Sequence, residues 1–217
     1  MSTVGVLGGS FDPVHRGHLE LAIRAKAALG LGSVVLLPCA APPHKPERAL
    51  AAAYHRLEMI YLAVEGWTGV GVSTFEIARG GLRYTIDTLR ALRDADPSRL
   101  PVFLIGSDAL AEIASWREYE TLLEEFDVAA AVRNDGEESA RRRAWPEPVA
   151  RREIARGAAP DLGAGGRVFA IAADLPAISS SLVRRRRAAG LAVDDLVPAR
   201  VARYIQRHRL YLEEGRR

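Results

Sequence analysis

Hydrophobic residues in this chain form short continuous runs that alternate with longer segments of helical periodicity. Continuous apolar runs bounded by turn residues are typical of buried strands, and apolar positions recurring every three or four residues are typical of helices. The predicted strands are residues 3–7, 33–37, 70–73, 101–105, 127–132 and 167–171, with 75–78 as an extended continuation of the third. The predicted helices are residues 17–29, 52–65, 84–93, 108–114, 118–125, 179–189 and 198–208.

Strands separated by helices predict an α/β fold, in which a Rossmann-like, doubly wound and mostly parallel sheet carries helices on both faces. Ligands of such sheets bind at the carboxyl ends of the strands. We expect a single domain over residues 1–217, closed by helices within 179–208. Residues 134–167 are charged, weakly periodic and rich in glycine, proline and arginine, so we interpret them as a surface excursion with a helix near 149–156.

Composition narrows the class of protein further. The chain has 217 residues, of which 48% are hydrophobic, and this is enough for a sizeable core. Its formal net charge of +3 suits anionic small molecules and does not require nucleic acid. Of its 30 basic residues, 28 are arginines, so any single arginine run carries little weight. Cys39 is the only cysteine, which excludes an internal disulfide and disfavours zinc.

The sequence also bears on location and assembly. It shows neither a signal-type segment nor an apolar run long enough to span a bilayer. We therefore expect a cytoplasmic protein that binds neither membranes nor nucleic acid. A homo-oligomer is compatible with the sequence, which does not fix the oligomeric state.

The most informative segment, residues 8–18, places two glycines and two histidines at a strand-to-helix turn. Gly8 and Gly9 let a ligand approach the backbone closely, and His15 and His18 lie at the first turn of the following helix. Free N–H groups and the positive dipole end of a helix attract anions, so the segment predicts a phosphate site. A metal pair, or one capping and one core histidine, is the alternative. The glycine spacing fits neither a Walker A loop nor a dinucleotide fingerprint.

A second candidate phosphate site lies near the end of the chain. Ser179, Ser180 and Ser181 precede an apolar-periodic run and predict a helix N-terminus whose donors could hold phosphate oxygens. Arg184, one turn further on the same side, could add a bidentate contact. An ordinary capped helix with a solvated arginine face is equally compatible with these residues.

Other candidate ligand contacts are weaker when each is taken alone. The proline-rich loop 42–46 carries His44 and Lys45, which could meet an acidic substrate or could simply be exposed. Thr85 opens a predicted helix that could receive a carboxylate, and Trp116 could stack on a flat ring, although both could equally be a cap and a core residue. Asp108 follows a buried strand and could bind a sugar hydroxyl or cap the next helix.

Taken together, these segments resemble the nucleotidylyltransferase superfamily, whose His-x-Gly-His motif corresponds to residues 15–18. Within it the chain is similar to bacterial nicotinate-nucleotide adenylyltransferases, in order and along nearly its whole length. The resemblance implies an enzyme of NAD biosynthesis that transfers AMP from ATP to nicotinate mononucleotide, giving deamido-NAD and pyrophosphate. It further implies direct in-line attack without a covalent enzyme intermediate, and Mg²⁺ held mainly by ATP phosphates and water, with no metal-binding residues of the protein.

On the ATP side, the resemblance implies that His18 faces the α-phosphate and His15 the triphosphate. Ser180 and Arg184 would hold the β and γ oxygens, so that His15, His18 and Arg184 are the expected catalytic residues. The remaining expected ATP contacts are Gly8, Gly9, Ser10, Phe11, Gly106 and Ser179.

On the mononucleotide side, the resemblance implies that Lys45 and His44 meet the phosphate. Thr85, with the backbone N–H groups beside it, would receive the nicotinate carboxylate, Trp116 would stack on the pyridine ring, and Asp108 would bind a ribose hydroxyl. Tyr84 is also expected in this subsite.

The chain departs from the family pattern at two loops. Residues 133–136 read Arg-Asn-Asp-Gly where Arg-Pro-Gly is common, and Cys39 and Ala40 stand where polar side chains are expected. The resemblance therefore does not define which contacts these two loops make with the mononucleotide. Three alternatives remain: phosphopantetheine adenylyltransferase, adenylyl transfer to nicotinamide mononucleotide, and an arginine-rich nucleic-acid-binding protein without catalysis.

Overall fold

A computed structural model describes residues 1–40, 50–79, 84–132, 145–154, 162–172 and 178–212, except the side chains of residues 107, 108, 132 and 172. Within these residues, seven strands form one sheet in the order β3-β2-β1-β4-β5-β7-β6. Every pairing in this sheet is parallel. The strands are β1 (Ser2–Gly9), β2 (Ser33–Pro38), β3 (Val70–Val72), β4 (Arg99–Gly106), β5 (Asp127–Val132), β6 (Glu153–Ile154) and β7 (Val168–Ala172). The mostly parallel α/β fold predicted from the sequence is thus confirmed.

Helices connect the strands and close the fold. They are α1 (Arg16–Leu29), α2 (Ala53–Val64), α3 (Phe75–Arg79), α4 (Thr85–Ala95), α5 (Ser107–Ala111), α6 (Tyr119–Glu125), α7 (Glu147–Ala150), α8 (Ser180–Ala188) and α9 (Ala199–Arg207). A short 3₁₀ helix, Ile113–Ser115, follows α5. Helix α1 ends at Gly30, whose left-handed φ of 62° lets its N–H bond the carbonyl of Lys26.

The sheet separates two hydrophobic cores, as expected for a doubly wound fold. One core packs α1, α2, α8 and α9 on one face, with Leu21, Ile60, Val183 and Ile205 among its buried residues. The other packs α4, α5, α6 and α7 on the opposite face. Because every connection returns the chain to a parallel strand, β1, β2 and β4 all end at the same edge, after Gly9, Pro38 and Gly106.

Two sequence-based expectations are wrong. Residues 75–78 were expected to be extended but lie in helix α3, of which Glu76 is a buried residue. Among the described residues of the predicted surface excursion 134–167, Glu147 and Arg151 are exposed, whereas Trp145 and Val149 are buried and β6 pairs with β7. The helix expected near 149–156 is the single turn α7, which begins earlier and ends at Ala150.

No helix in the described ranges is long and apolar enough to cross a membrane.

Candidate active site

The turn between β1 and α1, which we call the glycine-histidine turn (residues 8–18), lies at the carboxyl edge of the sheet. His15 is the N-cap of α1 in an extended conformation, and its N–H bonds Nδ1 of His18 over 3.2 Å. The carbonyl of His15 in turn accepts from the backbone N–H of His18 at 3.0 Å. The first of these bonds fixes the imidazole of His18 relative to the helix start, and the second closes the backbone of the first turn.

The two imidazoles form a compact pair. Their rings stack with centroids 3.6 Å apart, and the Phe11 ring meets His18 edge-on at 4.9 Å. Gly17 makes this arrangement possible, because a Cβ there would lie 3.1 Å from Nδ1 of His15. The glycine of the motif therefore leaves room for a neighbouring side chain of the site.

Burial governs the charge of the pair. It lowers the pKa of His15 from 6.5 to about 4, since the charged form loses its hydration. Burial, and secondarily the neighbouring His15, lower the pKa of His18 well below its ordinary value. Both histidines are therefore neutral near pH 7. With Nδ1 of His18 accepting the N–H of His15, its Nε2 carries the proton and can donate to a ligand.

Asp12 ties this turn to distant parts of the chain. Its buried Oδ1 accepts bonds from the Tyr211 hydroxyl at 2.8 Å and from the N–H of Ala51 at 3.2 Å. Arg184 Nη1 bonds the carbonyl of Asp12 at 2.6 Å and lies 3.8 Å from its Oδ2. One buried carboxylate thus joins the histidine turn, the C-terminal segment and helix α8.

Helix α8 brings the second predicted phosphate motif to the first. Ser179 caps the helix by accepting from the N–H of Leu182 at 3.1 Å. The Ser180 hydroxyl donates to the carbonyl of Pro13 at 2.9 Å, and Arg184 Nη2 bonds Ser181 Oγ at 2.8 Å. The structure therefore brings His15, His18, Ser179, Ser180 and Arg184 together. The hydroxyl of Ser180 is engaged, so its backbone N–H is the more available donor for a phosphate.

A cavity of about 180 Å³ lies beside the glycine-histidine turn, at the same sheet edge. Trp116 forms one wall and meets the Phe103 ring in an edge-to-face contact at 6.0 Å between centroids. Thr85, the first residue of α4, contributes another wall. Further lining residues are Gly8, Gly9, Ser10 and Tyr84. The cavity thus brings together Tyr84, Thr85 and Trp116, which are predicted to meet the mononucleotide, and three of the predicted ATP contacts.

Several predicted site residues belong neither to the cluster of His15, His18 and α8 nor to the cavity beside Trp116. Phe11 is buried under His18 and supports the turn, with a left-handed φ of 46°. Gly106 ends β4, and a Cβ there would have no heavy atom within 4 Å among the described residues, so the space beside it is open. His44 and Lys45 lie outside the described residues, as do residues 133–136. The backbone of Asp108 lies in α5, and its side chain is not described.

Sequence reasoning missed Arg56, a buried arginine that organises the loop ends. Only 2% of this residue is exposed. Its guanidinium donates to the carbonyls of Ser10 at 2.9 Å, Cys39 at 2.8 Å and Ala51 at 3.1 Å. Arg56 thereby ties Cys39 and Ala51, which lie on either side of residues 41–49, to Ser10 of the glycine-histidine turn. No sequence signal distinguished it from the many other arginines.

Glu76 was also missed, because its segment was expected to be extended. Its carboxylate accepts the Thr88 hydroxyl at 2.7 Å and the N–H of Ala40 at 3.3 Å. Burial raises the pKa of Glu76, and the bonds from Thr88 and Ala40 partly oppose this. Glu76 lines the cavity and, at the same time, anchors the chain after β2.

The sheet and its histidine turn define an α/β protein of the doubly wound class, in which two helix starts converge on one edge. A family model described as cytidylyltransferase-like matches residues 6–186. The chain belongs to that family.

Similar proteins cover nearly the whole chain. A probable nicotinate-nucleotide adenylyltransferase of Symbiobacterium thermophilum is 41% identical over 98% of this chain and 96% of its own length. A probable nicotinate-nucleotide adenylyltransferase of Bordetella petrii is 42% identical over 97% of this chain and 100% of its own.

Solved structures share the fold at lower identity. Plasmodium falciparum nicotinic acid mononucleotide adenylyltransferase complexed with NaAD superposes with a TM-score of 0.74. Its sequence is 18% identical to this one, and the match covers 97% of this chain and 98% of the Plasmodium chain. The same enzyme complexed with APC gives a TM-score of 0.72.

Proposed function

We propose that this chain is a nicotinate-nucleotide adenylyltransferase, which transfers AMP from ATP to nicotinate mononucleotide and releases pyrophosphate. The observation that carries the proposal is the convergence, on one sheet edge, of the histidine turn, the start of α8 with Arg184, and the Trp116 cavity. The first two suit a triphosphate and the third suits a flat ring. The names of the full-length relatives support the same activity.

In the proposed reaction, a phosphate oxygen of the mononucleotide attacks the α-phosphorus of ATP in line. One P–O bond forms to the attacking oxygen while the bond to the β-phosphate oxygen breaks, and pyrophosphate leaves. No proton transfer to the enzyme is needed, because the attacking oxygen is already ionised. Catalysis is then positioning together with stabilisation of the charge that grows on the phosphoryl oxygens.

The neutral histidine pair suits this role. His18 would direct its Nε2–H at an α-phosphate oxygen, while His15 would lie toward the triphosphate. Their low pKa values mean that neither residue must lose a proton before it binds substrate near pH 7. Donors fixed in advance pay little reorganisation cost when the transition state forms.

Arg184 would neutralise the leaving pyrophosphate. Its guanidinium is held by Asp12 and Ser181, so it is oriented before ATP binds. The N–H groups at the start of α8 would complete the cradle for the β and γ oxygens, as helix N-termini do for phosphates.

Mg²⁺ remains part of the proposal as a partner of the triphosphate. Among the described residues, no group of three or more histidine, cysteine or acidic side chains is placed to hold a metal ion. This arrangement fits an ion that retains water and phosphate oxygens as ligands. When bound, it would screen the negative charge that opposes attack.

For the second substrate, we propose that the pyridine ring stacks on Trp116 while its carboxylate meets the N–H groups at the start of α4 near Tyr84 and Thr85. Lys45 and His44 are proposed to meet the phosphate, and Asp108 a ribose hydroxyl. We also propose that the enzyme acts in the cytoplasm and binds neither nucleic acid nor membranes.

The test offers purified protein ATP and Mg²⁺ with nicotinate mononucleotide, nicotinamide mononucleotide or phosphopantetheine in parallel, and measures pyrophosphate release. The proposal expects the nicotinate form to give the highest kcat/KM. Preference for another acceptor would keep the ATP site and refute the assigned second substrate. No release with any acceptor, together with salt-sensitive binding of nucleic acid, would favour the non-catalytic alternative.

A further inference from the structure

Arg117 is a charged residue of the cavity to which the family resemblance assigned no role. Among the described residues lining the cavity it is the one cationic side chain, and Glu76 is the one acidic side chain. The two carboxylate oxygens of Glu76 accept bonds from Thr88 and Ala40, so Glu76 faces protein donors. Among the described lining residues, Arg117 is therefore the side chain that can attract an anionic ligand.

The guanidinium of Arg117 is held in a defined place. Its Cζ lies 4.7 Å from the centre of the Tyr84 ring, in cation–π contact with the residue that caps α4. Its Nε bonds Glu118 Oε1 at 3.2 Å. The guanidinium thus lies against Tyr84 at the start of α4, the end of the helix where the carboxylate is proposed to bind.

A network of alternating charges supports this position. Glu118 also accepts from Arg90 Nη1 at 3.2 Å, and Arg90 bonds Glu125 through Nε at 3.1 Å. Glu118 adopts a left-handed conformation with φ of 51°, which a residue with a side chain rarely takes. Such strain persists where the surroundings hold it, and here two arginines hold Glu118 at the sharp turn that directs Arg117 back over Tyr84.

The neighbouring Trp116 sets the geometry of recognition. We expect a pyridine ring stacked on this indole to carry its substituent toward Thr85 and Arg117, because both line the same cavity. A carboxylate there can accept charge-assisted bonds from a guanidinium through both oxygens, whereas a carboxamide offers one neutral carbonyl oxygen and finds no acceptor for its NH₂ on Arg117. The same side chain therefore attracts one form of the substrate and fails to satisfy the other.

We propose that Arg117 is a specificity-determining residue, which selects the nicotinate over the nicotinamide form of the mononucleotide through its guanidinium. The proposal rests on the proposed function and adds a side-chain determinant to the backbone donors at α4. Because 53% of the Arg117 side chain is exposed, we expect a moderate contribution, of about tenfold in the preference.

The test compares wild type, Arg117→Gln and Arg117→Lys for kcat/KM with each mononucleotide at saturating ATP. We expect Arg117→Gln to lower the ratio of nicotinate to nicotinamide kcat/KM about tenfold, mainly through the KM for the nicotinate form, with no change in the KM for ATP. Arg117→Lys should retain part of the ratio, since it keeps the charge and loses the planar fork. If the amide form turns over too slowly, its inhibition constant against the nicotinate form replaces kcat/KM.

Arg99→Gln is the matched control, because Arg99 is an exposed arginine with one carboxylate partner, Asp96, at the opposite end of β4. It should leave the ratio unchanged. An unchanged ratio in Arg117→Gln, or equal losses for both mononucleotides, would overturn the specificity role. A wild-type enzyme that does not use nicotinate mononucleotide would instead refute the proposed function, before any variant is compared.

Discussion

Replacing Gly17 by alanine separates stability from catalysis, because the substitution favours the helix and disturbs the histidine pair. The new Cβ would lie 3.1 Å from Nδ1 and 3.2 Å from Cε1 of the His15 ring, against an ordinary contact of 3.4–4 Å. The carbonyl of Ile178 would lie 3.9 Å from the same Cβ. The imidazole must therefore shift by a few tenths of an ångström, which disturbs its stacked arrangement with His18.

The energetic terms of this substitution nearly cancel in folding. Alanine in place of a helical glycine stabilises by about 1 kcal/mol, while an imidazole forced off its rotamer costs about 0.5–1.5 kcal/mol. We expect the free energy of unfolding to change by less than about 1 kcal/mol in either direction. Turnover has no such compensation: a misplacement of about 1 Å can cost about a hundredfold, so a smaller shift should cost about tenfold or more.

The assay pairs urea unfolding with steady-state pyrophosphate release from ATP and nicotinate mononucleotide. Gly71→Ala is the matched control, since a Cβ at Gly71 in β3 meets no described heavy atom within 4 Å. It should leave turnover within about twofold of wild type. Normal turnover in Gly17→Ala would refute the idea that the glycine makes room for a catalytic imidazole.

Three further predictions concern the same site. His18→Ala should lower kcat by about 10²–10³ while the fold persists, because it removes a fixed donor to the reacting phosphate, and near-normal turnover would exclude that role. Trp116→Ala should raise the KM for the mononucleotide about tenfold, and an effect confined to ATP would contradict ring stacking. Since the pKa of His15 falls from 6.5 unfolded to about 4 folded, its stabilisation is complete above pH 6.5. About 3 kcal/mol should be lost as the pH falls from 6.5 to 4, measured as a shallower slope of unfolding free energy against pH in His15→Gln. An equal slope in that variant would show that His15 is not the titrating group.

Much of the fold can be predicted from local sequence patterns, namely continuous apolar runs and helix-start residues. The runs in β1, β2, β4 and β5 are continuous and apolar because both faces of these strands are covered by helices. Both predicted phosphate motifs begin helices, and helix starts can be predicted from sequence because capping positions favour particular residue types. The edge on which they meet follows from parallel strands alone.

The parts that could not be predicted depend on contacts between distant residues. Residues 75–78 are too few to show a helical period, and in α3 Glu76 faces inward and bonds the distant Thr88 and Ala40. Strand β6 has two residues, too few for any period to show. The burial of Trp145 depends on helices that precede it along the chain.

The candidate site shows the same division. The histidines and the serine-rich helix start carry their own local signatures. Arg56 does not, because its partners are backbone carbonyls of Ser10, Cys39 and Ala51, which any sequence supplies. Arg117 was likewise hidden among many arginines, and its position over Tyr84 depends on the left-handed turn at Glu118.

The central claim, direct transfer of AMP from ATP to nicotinate mononucleotide, is tested most directly by following the α-phosphate. Protein, Mg²⁺, nicotinate mononucleotide and ATP labelled at the α-phosphate are mixed, and the label is traced in small-molecule products and in protein. The account predicts that the label appears in deamido-NAD, with one unlabelled pyrophosphate released for each dinucleotide formed. Label retained covalently on the protein, or pyrophosphate released without the dinucleotide, would contradict it.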